Sequence, residues 1–178
     1  QAFALGVAYG FGLWFVGAFW LYTSIHEYGD TSAPLSVLMI AIMALVMGLF
    51  SAVQAWLYRR FFPETPLTFA PIWVIFEWAK TWVFTGFPWL FAGYAFTERF
   101  LDSYAPLFGV FAVSFVVILL ACALVEILRR RFFWIIPSAV VLLGAWAVSF
   151  VSFVEPKPSK PLSVSLIQGN IPQDLKWL

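Results

Sequence analysis

The sequence predicts an all-α, polytopic membrane bundle of about five transmembrane helices. Of its 178 residues, 63% are hydrophobic and only 11% are charged, and the mean hydropathy is +0.92. A soluble domain carries about 25% charged residues, and a soluble core of this length has too little interior to hide so much apolar surface. The net charge of +1 gives no indication of a nucleic-acid partner.

Five apolar segments approach or reach the length needed to cross a bilayer. They cover residues 1–24, 34–60, 69–85, 105–128 and 132–153, so we assign residues 1–155 to a membrane domain. In the first segment Ala2, Gly6 and Gly10 recur every four residues. This spacing of small residues lets a neighbouring helix approach closely. Pro34 begins the second segment, where a missing backbone N–H costs little.

The third segment carries two ionisable residues, Glu77 and Lys80, on the same face as Trp73. Charged groups at membrane depth are costly and usually face protein or water. Two interpretations remain open. Glu77 and Lys80 form a mutual salt bridge at i, i+3 spacing, or they form the polar floor of a lipid-headgroup site.

A loop with the sequence Thr85-Gly-Phe-Pro-Trp-Leu90 follows, and is called the 85–90 loop below. Gly86 is suited to the left-handed conformation that ends a helix, and Pro88 lacks the donor needed to continue one. Phe87 and Trp89 are thereby placed at the end of a membrane segment, where aromatic residues are enriched. Composition alone favours an aromatic belt here. The stretch after the loop, including Tyr94, is predicted to lie amphipathically in the interface.

Two further groups of reactive residue types are interpreted structurally. His26, Glu27 and Asp30 lack the spacing of a metal site and are read as a solvated turn. Cys122 lies in an apolar run with no electropositive neighbour to activate it, so we read it as a packing residue. As the only cysteine, it also rules out an internal disulfide. We expect neither metal nor cofactor.

Charge sets the predicted orientation. Arg59 and Arg60 follow the second segment, and the Arg129–Arg131 run follows the fourth, so the positive-inside rule places both in the cytoplasm. The 85–90 loop and everything after residue 153 then face outward. Residues 156–161 read as a Pro-rich linker. Alternating apolar residues from Leu162 predict a β-strand, which we expect to begin an extracytoplasmic domain over 162–178. The chain starts inside an apolar run without Met, so we expect a fragment.

Three motifs together resemble apolipoprotein N-acyltransferase in order and spacing. They are Tyr9-Gly-Phe-Gly-Leu-Trp14, the 77–94 block with the 85–90 loop, and Ser165-Leu-Ile-Gln-Gly-Asn-Ile-Pro-Gln-Asp-Leu-Lys-Trp177. The resemblance implies a multi-pass protein of the bacterial cytoplasmic membrane whose strand begins a nitrilase-like α/β domain. It also implies acyl transfer from a phospholipid to the N-terminal amino group of a diacylglyceryl-cysteine lipoprotein, the final step of lipoprotein maturation.

The resemblance further implies that the catalytic glutamate, lysine and cysteine lie outside this sequence. The site residues within it would serve substrate and lipid access: Gly86, Phe87, Pro88, Trp89, Tyr94, Glu77 and Lys80. Lys80 stands where the family commonly has arginine. Two other classes stay open, namely a membrane module fused to a polyprenyl-phosphate glycosyltransferase and a small transporter or scaffold. Against a transporter, we detect no inverted repeat.

Overall fold

The computed structural model describes residues 1–154 and 163–170, and within them the ordered elements are helical. The α-helices are α1 (Ala2–Gly17), α2 (Ala33–Phe61), α3 (Pro66–Ala79), α4 (Ala105–Leu128) and α5 (Ile135–Val148). A π-helical turn covers Thr23–Glu27, and short 3₁₀ turns cover Val83–Thr85, Ala92–Phe96, Phe100–Tyr104 and Phe132–Trp134.

The first two helices pack backbone against backbone. A Cβ added to Gly6 would lie 2.6 Å from the Cα of Ala52, and one added to Gly10 would lie 2.7 Å from the Cα of Gly48. No side chain fits at such distances, so the spaced glycines are what lets α1 and α2 touch. The predicted close approach is confirmed. The same contacts show that α1 and α2 run antiparallel.

The segment between α3 and α4 is held to α4 and α5 by hydrogen bonds between side-chain hydroxyls and the backbone. The backbone N–H of Gly93 donates to the hydroxyl of Ser114 at 2.9 Å. The hydroxyl of Tyr104 donates to the carbonyl of Val141 at 2.7 Å, and that of Ser103 to the carbonyl of Ala145 at 3.0 Å. The bond to Ser114 satisfies the backbone N–H of Gly93, which apolar surroundings would leave without water. The segment between α3 and α4 is therefore fixed on the bundle.

A helix lies in each of the five predicted segments, and α2 and α4 have close to the predicted bounds, whereas α1, α3 and α5 are shorter than predicted. Two described helical stretches, Ala33–Phe61 and Phe100–Leu128, are long and apolar enough to cross a membrane, whereas Ala2–Gly17, Pro66–Ala79 and Phe132–Val148 are shorter apolar helices. The difference that matters for the 85–90 loop is in α3, which ends at Ala79 rather than near residue 85. At 1.5 Å per residue α3 is about 21 Å long, less than the ~30 Å hydrocarbon core.

The predicted β-strand does not form in the part that the structure describes. Residues 163–170 have no assigned secondary structure and are exposed. A strand needs a neighbouring strand to pair its backbone groups, and none of the described residues supplies one. The linker at 156–161 and the residues after 170 lie outside the described ranges.

Candidate functional site

The 85–90 loop follows an unusual turn at the end of α3. Phe84 and Thr85 have positive φ values of 53° and 71°, and Gly86 has 86°. A Cβ on Gly86 would lie 2.1 Å from the carbonyl oxygen of Thr81, so only glycine fits. The positive φ predicted for Gly86 is confirmed. Its role differs from the prediction, because Gly86 closes this turn and does not end α3.

The loop is packed against the C-terminal half of α1. The Phe87 ring lies 5.2 Å, centroid to centroid, from the fully buried Trp14 ring. Leu90 occupies the space beside Gly17, where an added Cβ would meet its Cδ1 at 2.6 Å. The loop is therefore held on both sides of Trp89 by apolar contacts with one helix.

Trp89 itself stays accessible, with 46% of its surface exposed. Its ring stacks near that of Phe87 at 6.0 Å and 13°, and lies 5.5 Å from the ring of Trp20. A cavity of about 600 Å³ adjoins it. The cavity is bounded by Leu13, Pro88, Trp89, Leu90, Phe91, Ala92, Tyr94 and Ala95. It is an apolar recess with an indole at its rim.

Glu77 fixes the inner wall of this cavity. It is 1% exposed, and its Oε1 accepts hydrogen bonds from the indole N–H of Trp73 at 2.8 Å and the backbone N–H of Ala92 at 2.7 Å. The other carboxyl oxygen, Oε2, has no hydrogen-bond partner among the described residues. Glu77 thus connects α3 to the chain just beyond the loop.

Lys80 lies between two aromatic rings. Its Nζ is 5.6 Å from the centroid of Trp14 and 5.5 Å from that of Phe91, distances at which a cation is attracted to the ring face. Within residues 1–154 and 163–170 it forms no salt bridge with Glu77. Of the two interpretations that the sequence left open, the mutual salt bridge is therefore not formed; Glu77 instead binds Trp73 and Ala92.

The predicted site residues fall into two groups. Pro88, Trp89 and Tyr94 line the cavity. Glu77 and Lys80 lie behind its wall, with Gly86 and Phe87 shaping and seating the loop. Sequence reasoning missed Leu13 and Trp14 as contacts of this site. Both belong to the Tyr9–Trp14 motif, so this motif could have indicated that α1 contributes to the site.

The other reactive residue types lie elsewhere. The Nδ1 of His26 is 2.6 Å from the carbonyl oxygen of Thr31, inside its own turn, and the described residues contain no group of three metal-ligating side chains. Cys122 is partly buried in α4. Neither adjoins the 85–90 loop cavity.

Comparison with known proteins places this arrangement in a family. Residues 1–123 match the family model described as the apolipoprotein N-acyltransferase N-terminal domain. Relatives named apolipoprotein N-acyltransferase include one from Azotobacter vinelandii, 40% identical over 97% of this chain and 36% of the relative. One from Pseudomonas syringae pv. tomato is 37% identical over 99% of the chain and 37% of the relative. The chain therefore spans about a third of the length of these relatives.

Proposed function

We infer the function of this chain from its family: it belongs to the apolipoprotein N-acyltransferase family. We propose that it is the membrane part of an enzyme that moves an acyl chain from a phospholipid to the α-amino group of a diacylglyceryl-cysteine lipoprotein. The names of the relatives support the reaction. The apolar composition and the two membrane-length helices support a place in the membrane, which we take to be the bacterial cytoplasmic membrane.

Within that enzyme, this chain would supply lipid access through the 85–90 loop. The observation that carries this role is the apolar cavity of about 600 Å³ beside an exposed Trp89. An indole offers an apolar face to an acyl chain and an N–H to a polar headgroup. A pocket that is mostly apolar with a few placed polar groups is typical of small-molecule sites. Pro88 and Tyr94 line the same cavity.

Glu77 and Lys80 act as positioning residues in this proposal. Glu77 binds the N–H of Ala92, and Lys80 packs on the ring of Phe91, so both hold the cavity wall in place. The Oε2 of Glu77 has no hydrogen-bond partner among the described residues. We assign this oxygen and the ammonium of Lys80 to the polar floor of the lipid-headgroup site.

The chemistry itself we assign to the part of the relatives beyond this chain's span. The resemblance implies a thioester route, in which a cysteine sulfur takes the acyl group and releases a lysophospholipid. The amine of the lipoprotein then attacks the thioester carbonyl and frees the thiol. Splitting the transfer into two steps lowers each barrier. Cys122 lies outside the 85–90 loop cavity, so we give it no part in this chemistry. The family match does not favour a glycosyltransferase module or a transporter.

The proposed topology has five helices crossing or partly crossing the bilayer over residues 1–155, with a linker at 156–161 and an extracytoplasmic domain starting at 162–178. The two arginine groups support it. Arg59 and Arg60 lie in the last turn of α2, and Arg129–Arg131 follow α4 directly. The two groups are two helices apart, which places them on one side of the membrane. The 85–90 loop then faces outward. Glu126 pairs with Arg129 and Arg131 at 3.3 and 2.7 Å, which leaves an excess of positive charge at that end of α4.

The test uses the full-length protein in vesicles with a phospholipid that carries a mass-labelled acyl chain and a diacylglyceryl-cysteine peptide. We expect mass spectrometry to find the labelled chain on the peptide's α-amino group. A peptide with an acetylated amino group is the control and should gain nothing. If the free-amine peptide also stays unmodified while the protein remains folded, the proposed reaction is wrong.

A further inference from the structure

A second groove lies between α1, α2 and α3, at the opposite end of the bundle from the 85–90 loop. Two adjoining cavities, of about 370 and 420 Å³, share Leu5, Ala55 and Phe69 in their walls. The antiparallel packing of α1 and α2 brings Gln1 and Arg59 together at this end. The 85–90 loop contacts the other end of α1, at Trp14 and Gly17. The two cavities therefore form one groove, which shares no lining residue with the cavity beside Trp89.

A single buried amide lies inside this apolar groove. Gln54 lines the inner cavity and is 6% exposed, and its Nε2 has no hydrogen-bond partner among the described residues. The wall around it is formed largely by Leu5, Tyr9 and Trp73. A buried donor without an acceptor is destabilising. The groove is thus built for an apolar occupant that carries at least one hydrogen-bond acceptor.

Positive charge marks the outer end of the groove. Arg59 lines the outer cavity and pairs with Glu64, while the adjacent Arg60 lies near the ring of Phe61 at 5.3 Å. Arg60 lines neither cavity and has no salt bridge among the described residues, so the end of α2 beside the groove keeps a net positive charge. Arg59 follows Gln54 along α2 by about 8 Å at 1.5 Å per residue. A phosphate and an ester carbonyl in one phospholipid are separated by only a few bonds, which suits this spacing.

We propose that the groove binds a phospholipid from the leaflet on the Arg59 side. The phosphate lies at Arg59, at the positively charged end of α2, an ester carbonyl accepts a hydrogen bond from the Nε2 of Gln54, and the acyl chain follows the wall between Leu5 and Trp73. The exposed surfaces of Leu5 and Tyr9 open the groove sideways to lipid. This inference shares with the proposed function only the placement of the helices in a bilayer.

The test uses the full-length protein in vesicles that contain phosphatidylethanolamine with a photoactivatable diazirine in its acyl chain. After illumination, labelled peptides are quantified by mass spectrometry. We expect label on the peptides that hold Leu5 and Trp73. Gln54→Leu should lower it about fivefold, the worth of one neutral hydrogen bond. Ala55→Phe, which fills the shared wall, should abolish it.

Val53→Leu is the matched control, because Val53 is exposed and is the neighbour of Gln54 but lines neither cavity. It should leave the labelling unchanged. The proposal is overturned if Gln54→Leu and Ala55→Phe are labelled as strongly as the wild type. It is also overturned if the wild type shows no label on the peptides that hold Leu5 and Trp73, the result expected when water or another part of the protein fills the groove. Acyl transfer is not the readout, so that failure leaves the proposed function standing.

Discussion

Glu77 is the residue on which the shape of the Trp89 cavity most depends. Its Oε1 holds two N–H groups at 2.8 and 2.7 Å, one from its own helix and one from Ala92 on the cavity wall. Glu77→Leu removes the oxygen that accepts both bonds and leaves the N–H groups of Trp73 and Ala92 without that partner. Glu77→Gln keeps an oxygen in the same place. Since Gln and Leu are both uncharged, the difference in unfolding free energy between the two variants reports the hydrogen bonds and not the charge.

The expected magnitude follows from those two bonds. An unsatisfied buried donor costs about 1–3 kcal/mol, so Glu77→Leu should lower the free energy of unfolding by about 3 kcal/mol. Hydrogen bonds to a charged acceptor are roughly twice as strong as neutral ones, so Glu77→Gln should cost only about 1 kcal/mol. Glu27→Leu is the control, because Glu27 is exposed; it should change stability by less than about 0.5 kcal/mol.

Unfolding of the full-length protein by sodium dodecyl sulfate in mixed micelles, followed by circular dichroism, measures these differences. Acyl transfer by the folded variants provides the second readout, and it should fall for Glu77→Leu more than for Glu77→Gln. If Leu and Gln destabilise equally, the hydrogen bonds to Trp73 and Ala92 do not hold the loop. Our account of Glu77 as a positioning residue would then be wrong.

Three further predictions concern packing, the cysteine and topology. Gly10→Ala should destabilise the protein by about 1–3 kcal/mol through overpacking against α2. Gly12→Ala is the control, because its Cβ meets nothing within 4 Å, and it should not destabilise the protein. Equal melting curves for these two variants would contradict the contact between α1 and α2. Cys122→Ser should leave acyl transfer nearly unchanged, and loss of the acyl-enzyme would refute its structural role. A reporter fused after Arg60 should be active only in the cytoplasm and one after Asp102 only outside; a cytoplasmic signal from the second would reverse the orientation.

Much of the fold was predictable because it depends on local patterns. The spacing of Gly6 and Gly10 selects one face of α1, and only glycine permits the backbone contact with α2 that the structure shows. Gly86 was identified for a similar reason, since a positive φ favours glycine. These features need no knowledge of distant residues, and the structure confirms them.

The rest depends on contacts between residues far apart in the chain. The i, i+3 spacing of Glu77 and Lys80 allowed a salt bridge as one of two interpretations, but it could not show the bond to Glu77 from the N–H of Ala92, 15 residues further along the chain. The turn that follows α3 was also not predictable, because Phe84 and Thr85 adopt positive φ values, which bulky and β-branched residues rarely do. The predicted strand is absent from residues 163–170 because a strand's existence depends on a neighbour that these residues alone do not provide.

The most direct test of the central claim is the catalytic efficiency of the full-length protein with Trp89 changed. If the ring lines a lipid path, Trp89→Ala should lower kcat/KM for the phospholipid about 30-fold, the effect of about 2 kcal/mol of lost apolar contact. Trp89→Phe should lose about fivefold through the missing indole N–H. Both variants should melt close to the wild type. If Trp89→Ala instead melts early yet keeps its kcat/KM once folded, Trp89 only anchors the helix end and the 85–90 loop is no substrate gate.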